Sequence, residues 1–597
     1  MIRHRTTSLA VIALLLLHVN TSVLANSNDG PAGPTLTLRA DPGSSMTIDW
    51  HTFGDSPETS RASSREPAAN FAPPAVPNAP KLVVGIVVDQ MRPDYVYRYW
   101  DKFGDGGFRR LVQEGFSFTN MHFDYMPTAT GPGHAGVFTG TTPSVHGVMG
   151  NSWYVRGLDR SINVIEVPGY RGIGSMPGSD EGKAPGNLLT TTVGDELRLH
   201  SNMQSRVVGI SRKDRGAIMT AGHLGDAYWY EAASGNFVTS SFYHNQLPRW
   251  VREFNARNLP QQYLSEPWNT LLPIGEYTES IADANPYERL YPDQSASTFP
   301  HDLPTRVREH GMNPGLLSAT PFGDKLLTEL AIAAIEGESL GQRAHTDMLA
   351  IAYSATDSIG HAYGPASIEV QDAYLRLDRY LEQLIEYLEE TLGEDEFVLF
   401  LTSDHGVVHV PQYLVDQGIP GGYFDSGNVF AALSAHLESL YGEDLVRGYS
   451  NYEIFLDNER IVELGYDPLL IQREVARFML HIDGVGGALT AEALNNTEFT
   501  DGIREIVQNG FHQKRSGDVM IWLEPHTIPN RATGTTHGSP WTYDRHAPMH
   551  WYGKNIPAGS SAAPVFIRDI ASTISMLLRS PLPSGNTGNP MNDHMLP

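Results

Sequence analysis

An α/β fold, a largely parallel sheet with helices on both faces, is predicted by three features of the sequence. Short continuous apolar runs recur at Leu82–Val88, Met348–Ala352 and Phe397–Leu401, each the length of a strand buried on both faces. Helical stretches alternate with them, above all Gln371–Leu392, where Leu377, Leu381, Leu384 and Leu388 share one face and Gly393 is a natural stop. Each apolar run also gives way abruptly to polar residues: Asp89, Thr356-Asp357 and Ser403-Asp404-His405-Gly406. Strands that deliver side chains to the carboxyl edge of a sheet end in this way.

Taken in order, the 597-residue chain opens with Arg3 and Arg5, an apolar stretch from Leu9 to Leu17, and the small-residue site Val23-Leu24-Ala25. This pattern predicts a secretory signal over residues 1–25, too short to span a bilayer, and hence an exported, periplasmic protein with no membrane span. Residues 26–78 are rich in Ser, Pro, Ala and Gly and read as a flexible leader, in which the TLTLRA and SMTIDW runs are candidates to pair as strands. Residues 79–597 are expected to form one catalytic domain. Its first strand is followed by a helix through Phe108 to Glu114, and then by Thr130 at the start of another helix. The section from about 155 to 320 is rich in Gly, Pro, Tyr and Asn and too long for simple loops, so an inserted cap is expected there. Regular α/β character returns with a helix at Lys325–Ile335, and residues 412–516 read as a second insertion. A further strand at Val519–Leu523 and a helix at Ile567–Leu578 precede a Gly/Pro-rich tail.

Composition narrows the function. With 42 Lys and Arg against 68 Asp and Glu, the net charge is −26, and loss of the signal with its two arginines takes it to −28. Nucleic-acid binding needs basic patches and is not expected. The absence of cysteine removes disulfides and thiol nucleophiles, and restricts any zinc site to His, Asp and Glu.

The chemistry gathers at the strand ends. Asp89, Asp357 with His361 four residues on, and Asp404-His405 follow three separate strands, and a loop, Gly534-Thr535-Thr536-His537-Gly538, offers His537. Ligands in open α/β sheets collect at the carboxyl edge, so these groups can converge. Taken singly, an Asp at a strand end is more often a helix cap and a His more often a core residue; His134, His146, His223 and His546 are read as structural. Recurrence lifts the favoured set. Six O/N ligands suit two divalent ions, and a His-rich set favours zinc over magnesium. Two metals about 4 Å apart clamp the attacking and leaving oxygens of a displacement at phosphorus. Thr130, directly before Gly131-Pro132-Gly133-His134, places a hydroxyl where the N-terminal N–H groups of a helix favour an anion.

In order along the chain, VVDQMR, PTATGPGH, HGVMGN, KDRGAI, TDSIGHAYG, TSDHG and GTTHGSPWTYDRHAP together resemble the alkaline phosphatase superfamily, most closely its PafA-type bacterial alkaline phosphatases. The resemblance runs from about Lys81 to the C-terminus. It implies two Zn2+ ions and Thr130 as nucleophile, with Thr in place of Ser typical of the PafA type. Asp357, His361 and His537 match the ligands of one zinc. Asp89, Asp404 and His405 match those of the other, which also contacts the Thr130 oxygen, and Asn151, Lys213 and Arg215 match phosphate contacts. The implied activity is hydrolysis of small-molecule phosphate monoesters through a phosphothreonine. A monoester presents a dianionic group with three non-bridging oxygens, which a Lys/Arg pair rewards. A phosphodiesterase or nucleotide pyrophosphatase of the same superfamily would share the metals and Thr but lack that pair. A non-catalytic zinc- or phosphate-binding exported protein is the alternative from another class. A sulfatase is disfavoured because no C/S-x-P-x-R motif is present.

Overall fold

The computed structural model describes residues 36–39, 47–50, 78–290, 295–309, 314–591 and 595. The expected signal and most of the expected leader lie outside the described residues. Within the leader, Leu36–Arg39 and Thr47–Trp50 pair antiparallel.

The centre of the catalytic unit is four adjacent parallel strands: β1 (Leu82–Val88), β2 (Val207–Ser211), β3 (Asp347–Tyr353) and β4 (Phe397–Thr402), in the spatial order β4-β1-β3-β2. Every residue of the four is buried. That is why they read as unbroken apolar runs: both faces are covered, so no polar face shows in the sequence. Asp226–Glu231 continues the parallel set beyond β2, and Asn236–Ser240 and Gly172–Ile173 close that side antiparallel. On the other side His546–Gly553 and Phe116–His122 run antiparallel, and Gly559–Ser561 and Val565–Phe566 complete eleven strands.

The helices α1 (Thr130–Thr139), α2 (Asp214–Ala221), α3 (Ala355–Tyr363), α4 (Ile368–Leu392) and α5 (Asp569–Leu578) cover the sheet. In α4 the four periodic leucines are wholly buried, each contributing about 1.5–3 kcal/mol by leaving water. Gly393, at φ +104, ends the helix as expected.

Two expectations are redistributed. The section 155–320 is only partly a cap, since β2, Asp226–Glu231, Asn236–Ser240 and Gly172–Ile173 all belong to the central sheet. Its outer strands are aromatic and mixed in character (DAYWYE, NFVTS) and lack the continuous apolar signature. Conversely, Val519–Leu523 does not join the central sheet. The strands β5 (Val446–Ser450), β6 (Glu453–Leu456), β7 (Val485–Thr490) and β8 (Val519–Leu523) form a separate antiparallel sheet in the order β5-β6-β8-β7, with its own apolar core.

Candidate metal centre and active site

Because β4, β1 and β3 are neighbours running the same way, the residues after them emerge side by side. Asp89 N–H donates to Tyr353 O at 2.8 Å, Thr356 Oγ1 donates to Asp89 O at 2.7 Å, and Met91 N–H donates to Ser403 Oγ at 2.9 Å. These bonds stitch the three strand ends into one floor. Asp89, Asp357, Asp404 and His405 are all buried there.

The three expected histidine ligands share one arrangement. His361 Nδ1 donates to Thr535 O at 2.8 Å, His405 Nδ1 to Gly406 O at 3.0 Å, and His537 Nδ1 to Thr128 O at 2.7 Å. A backbone carbonyl accepts only from N–H, so each ring carries a proton on Nδ1 and turns Nε2 inward, the atom a metal ligand would use.

Those Nε2 atoms meet the carboxylates. His361 Nε2 and His537 Nε2 lie 3.1 and 3.7 Å from Asp357 Oδ1, and His405 Nε2 lies 3.4 Å from Asp89 Oδ1 and 3.6 Å from Asp404 Oδ2. Zn–N and Zn–O bonds of 2.0–2.1 Å at a tetrahedral centre separate neighbouring ligand atoms by about 3.3 Å. The donor set therefore fits divalent ions. Asp357–His361–His537 and Asp89–Asp357–His405 each bring one ligand atom per residue within 4.8 Å of one another. Asp89 Oδ1, Asp404 Oδ2 and His405 Nε2 are buried without any hydrogen-bond partner, and buried polar atoms seldom stay unsatisfied without a reason.

The electrostatics point the same way. Burial, reinforced by the Asp357 and Asp404 carboxylates, pushes Asp89 well above the usual carboxylate range. Burial also pushes Asp357 up, but His361 and Lys213 beside it outweigh that and hold it well below. The His537 ring is driven well down by burial and by His405 and His361. Three carboxylates crowded in a dry site need positive charge. Lys213 supplies some of it, its Nζ 2.5 Å from Asp89 Oδ2 and 2.6 Å from Asp357 Oδ2.

Thr130 is the first residue of α1, after extended Ala129, and Lys213 Nζ donates to its Oγ1 at 3.2 Å. Gly133 is required because a Cβ there would fall 2.6 Å from Asp404 Cβ. Asn151 reaches the same helix start, its Oδ1 accepting from Gly131 N–H at 2.7 Å. Lys213 caps α2 and Arg215 lies in its first turn. Among the described residues Arg215 makes no bond to the cluster; its Nη1 is 3.9 Å from Asp214 Oδ1 and its buried Nε has no partner.

Gln90 and Arg212, not singled out by the sequence, and His134, read there as structural, also lie beside this cluster. Gln90 adopts φ +68, donates through Nε2 to Asp357 Oδ1 at 2.8 Å and through its backbone to Asp404 Oδ1 at 3.1 Å. His134 Nδ1 donates to Thr130 O at 2.8 Å and lies 3.4 Å from Asp404 Oδ2. Arg212 donates to Ser358 Oγ at 2.9 Å on the ligand-bearing helix α3. Only the adjacency of Gln90 and Arg212 to Asp89 and Lys213 hinted at this. The other three histidines read as structural make bonds away from the cluster: His146 to Val148 N–H, His223 to Asp195, and His546 to Thr119 O.

Comparison with known proteins adds to the geometry. The family described as type I phosphodiesterase / nucleotide pyrophosphatase matches residues 83–549. Alkaline phosphatase PhoV of Synechococcus elongatus is 40% identical over 543 residues, covering 89% of this chain and 97% of that protein. Alkaline phosphatase PafA of Elizabethkingia meningoseptica is 38% identical, covering 87% and 95%. The crystal structure of wild-type PafA superposes with a TM-score of 0.84 at 38% identity, over 87% of this chain and 99% of that one.

Proposed function

The chain belongs to the bacterial alkaline phosphatases represented by PafA and PhoV, within the type I phosphodiesterase / nucleotide pyrophosphatase family, and on that premise we propose that it is an exported, zinc-dependent hydrolase of small-molecule phosphate monoesters acting through Thr130. The observation that carries the reading is the convergence of three Nε2 atoms and three carboxylates, several of them unpaired, around a helix-start hydroxyl. Asp89, Asp404 and His405 would hold one zinc, near Thr130, and Asp357, His361 and His537 the other. Bound zinc supplies a Lewis acid and a lowered pKa for a coordinated hydroxyl.

Thr130 Oγ attacks phosphorus in line; the Oγ–P bond forms as the ester P–O bond breaks, leaving phosphothreonine. Water then cleaves that bond and releases phosphate, so two displacements give net retention at phosphorus. Lys213, Asn151 and Arg215 bind the non-bridging oxygens, where positioned charge supplies much of phosphoryl-transfer catalysis. Export to the periplasm rests on the signal-like start of the sequence; among the described residues no helix is long and apolar enough to cross a membrane.

Replacing the hydroxyl tests the reading. Thr130→Ala should abolish turnover of an aryl phosphate while leaving zinc content unchanged by elemental analysis. Near-normal activity in that variant would contradict the nucleophile assignment.

A further inference from the structure

The separate four-stranded module reaches the surroundings of the active site through the tip of its β5–β6 hairpin. Ser450 pairs with Glu453, leaving Asn451 and Tyr452 as a two-residue loop at φ +54 and +65. Both residues are left-handed, as a type I′ hairpin turn requires, and such turns favour Asn followed by Gly. Asn at the first position is ordinary. Tyr at the second is not, because bulky side chains seldom adopt positive φ. An outlier of this kind invites the question of what its side chain does.

The two side chains point to two edges of the catalytic centre. Asn451 Nδ2 donates to Ser152 O at 2.7 Å, and a Cβ at Gly150 would fall 2.6 Å from Asn451 Cγ, so Asn451 packs against both neighbours of Asn151. Asn151 in turn holds Gly131 N–H, next to Thr130. Tyr452 lies on the His537 loop: a Cβ at Gly538 would come within 3.3 Å of its ring. The Tyr452 carbonyl is tied back into the module by Ile521 N–H at 2.9 Å.

Further contacts keep the tip in register. The ribbon after Asn151, Ser152–Val155 paired with Arg160–Asn163, is gripped by the module along its length. Tyr154 packs on Phe455 with ring centroids 5.1 Å apart, and Arg156 donates to Asp518 Oδ2 at 2.8 Å and to Ser516 O at 2.9 Å. The same Asp518 oxygen accepts Leu456 N–H at 2.7 Å, coupling the grip to β6 itself.

We infer that the Asn451-Tyr452 turn is a positioning element through which the inserted module sets the phosphate-contacting Asn151 and the His537 loop; this rests on the reading of Asn151 given above. Neither residue touches the reacting atoms. Their effect passes through Asn151 and His537, so the module acts as a brace for catalysis.

A double-mutant cycle tests the link. Glycine at either position keeps the left-handed backbone and removes the side chain. Asn451→Gly should lower kcat/KM for an aryl phosphate about tenfold and weaken inhibition by inorganic phosphate, but lower kcat/KM less than about twofold in an Asn151→Ala background, because residues acting in series are not additive. Equal falls in the two backgrounds, or no fall in either, would overturn the inference. If Asn151→Ala alone has no effect, the phosphate-contact reading fails first, and the positioning role with it. Tyr452→Gly supplies the second arm: its ring packs against two apolar clusters, so the thermal midpoint should drop, and kcat/KM measured well below that midpoint should fall as well. Unchanged kcat/KM in Tyr452→Gly would remove Tyr452 from the brace.

Discussion

At the scale of single residues, Lys213 carries the most specific expectation. Its ammonium lies between Asp89 and Asp357 and within 3.2 Å of the Thr130 hydroxyl. A cation so close to the nucleophile rewards a dianionic phosphoryl group over a singly charged one, because the attraction scales with substrate charge. Lys213→Ala should therefore reduce kcat/KM for an aryl phosphate monoester by about 10²-fold, the cost of removing one positioned electrostatic group, and reduce diester turnover much less. An equal fall for both would show that Lys213 does not read the extra charge. The candidate ligands were legible because each stands directly after a strand or in a compact local pattern such as Asp357 and His361. Gln90 and His134 were not. Their partners, Asp357 and Asp404, lie 267 and 270 positions away in the chain, and nothing local marks a side chain that serves such a contact.

At the scale of elements, β1, β3 and β4 were readable almost to the residue because burial on both faces leaves continuous apolar runs. The outer strands of the central sheet and the Val519–Leu523 strand were harder to place: an apolar run announces a strand but not the sheet it joins. The module holding Val519–Leu523 also has its own titration behaviour. Glu453 is wholly buried, accepts Gly517 N–H at 2.9 Å through Oε2, and leaves Oε1 without a partner. Burial pushes its carboxyl up to about 8, with Asp518 adding to the rise while Arg156 opposes it. The folded state thus holds a proton that the unfolded chain releases near its ordinary value of 4.5. The stability Glu453 contributes is complete below that value and is lost as pH rises through about 8. Glu288, pushed up to about 9 chiefly by burial, works in the same direction, so the informative quantity is a difference between proteins. Between pH 6 and 9 the melting midpoint of Glu453→Gln should fall less than that of the wild type. Parallel falls would mean that Glu453 is ionised in the folded protein.

At the scale of the whole molecule, the central sheet and the separate antiparallel module divide the labour. The sheet lines up three strand ends so that carboxylates and imidazoles meet, at the cost of crowded like charge that only cations relieve. The separate antiparallel module grips the ribbon that carries Asn151. The chain's net charge is −26, and Lys213 stands as a local positive centre against it. The family could be reached from the sequence because motif order survives large insertions. The mutual placement of module and site could not, since it depends on tertiary contacts between segments some 300 residues apart, such as Asn451 and Ser152.

The most direct test of this account is the ratio of kcat/KM for an aryl phosphate monoester to that for its methyl diester, measured on mature, zinc-loaded protein. A large preference for the monoester is predicted, because the proposed phosphate contacts Asn151, Lys213 and Arg215 would reward three non-bridging oxygens and a double charge. A preference for the diester would leave Thr130 and the metal ligands in place but contradict the assignment as a monoester hydrolase.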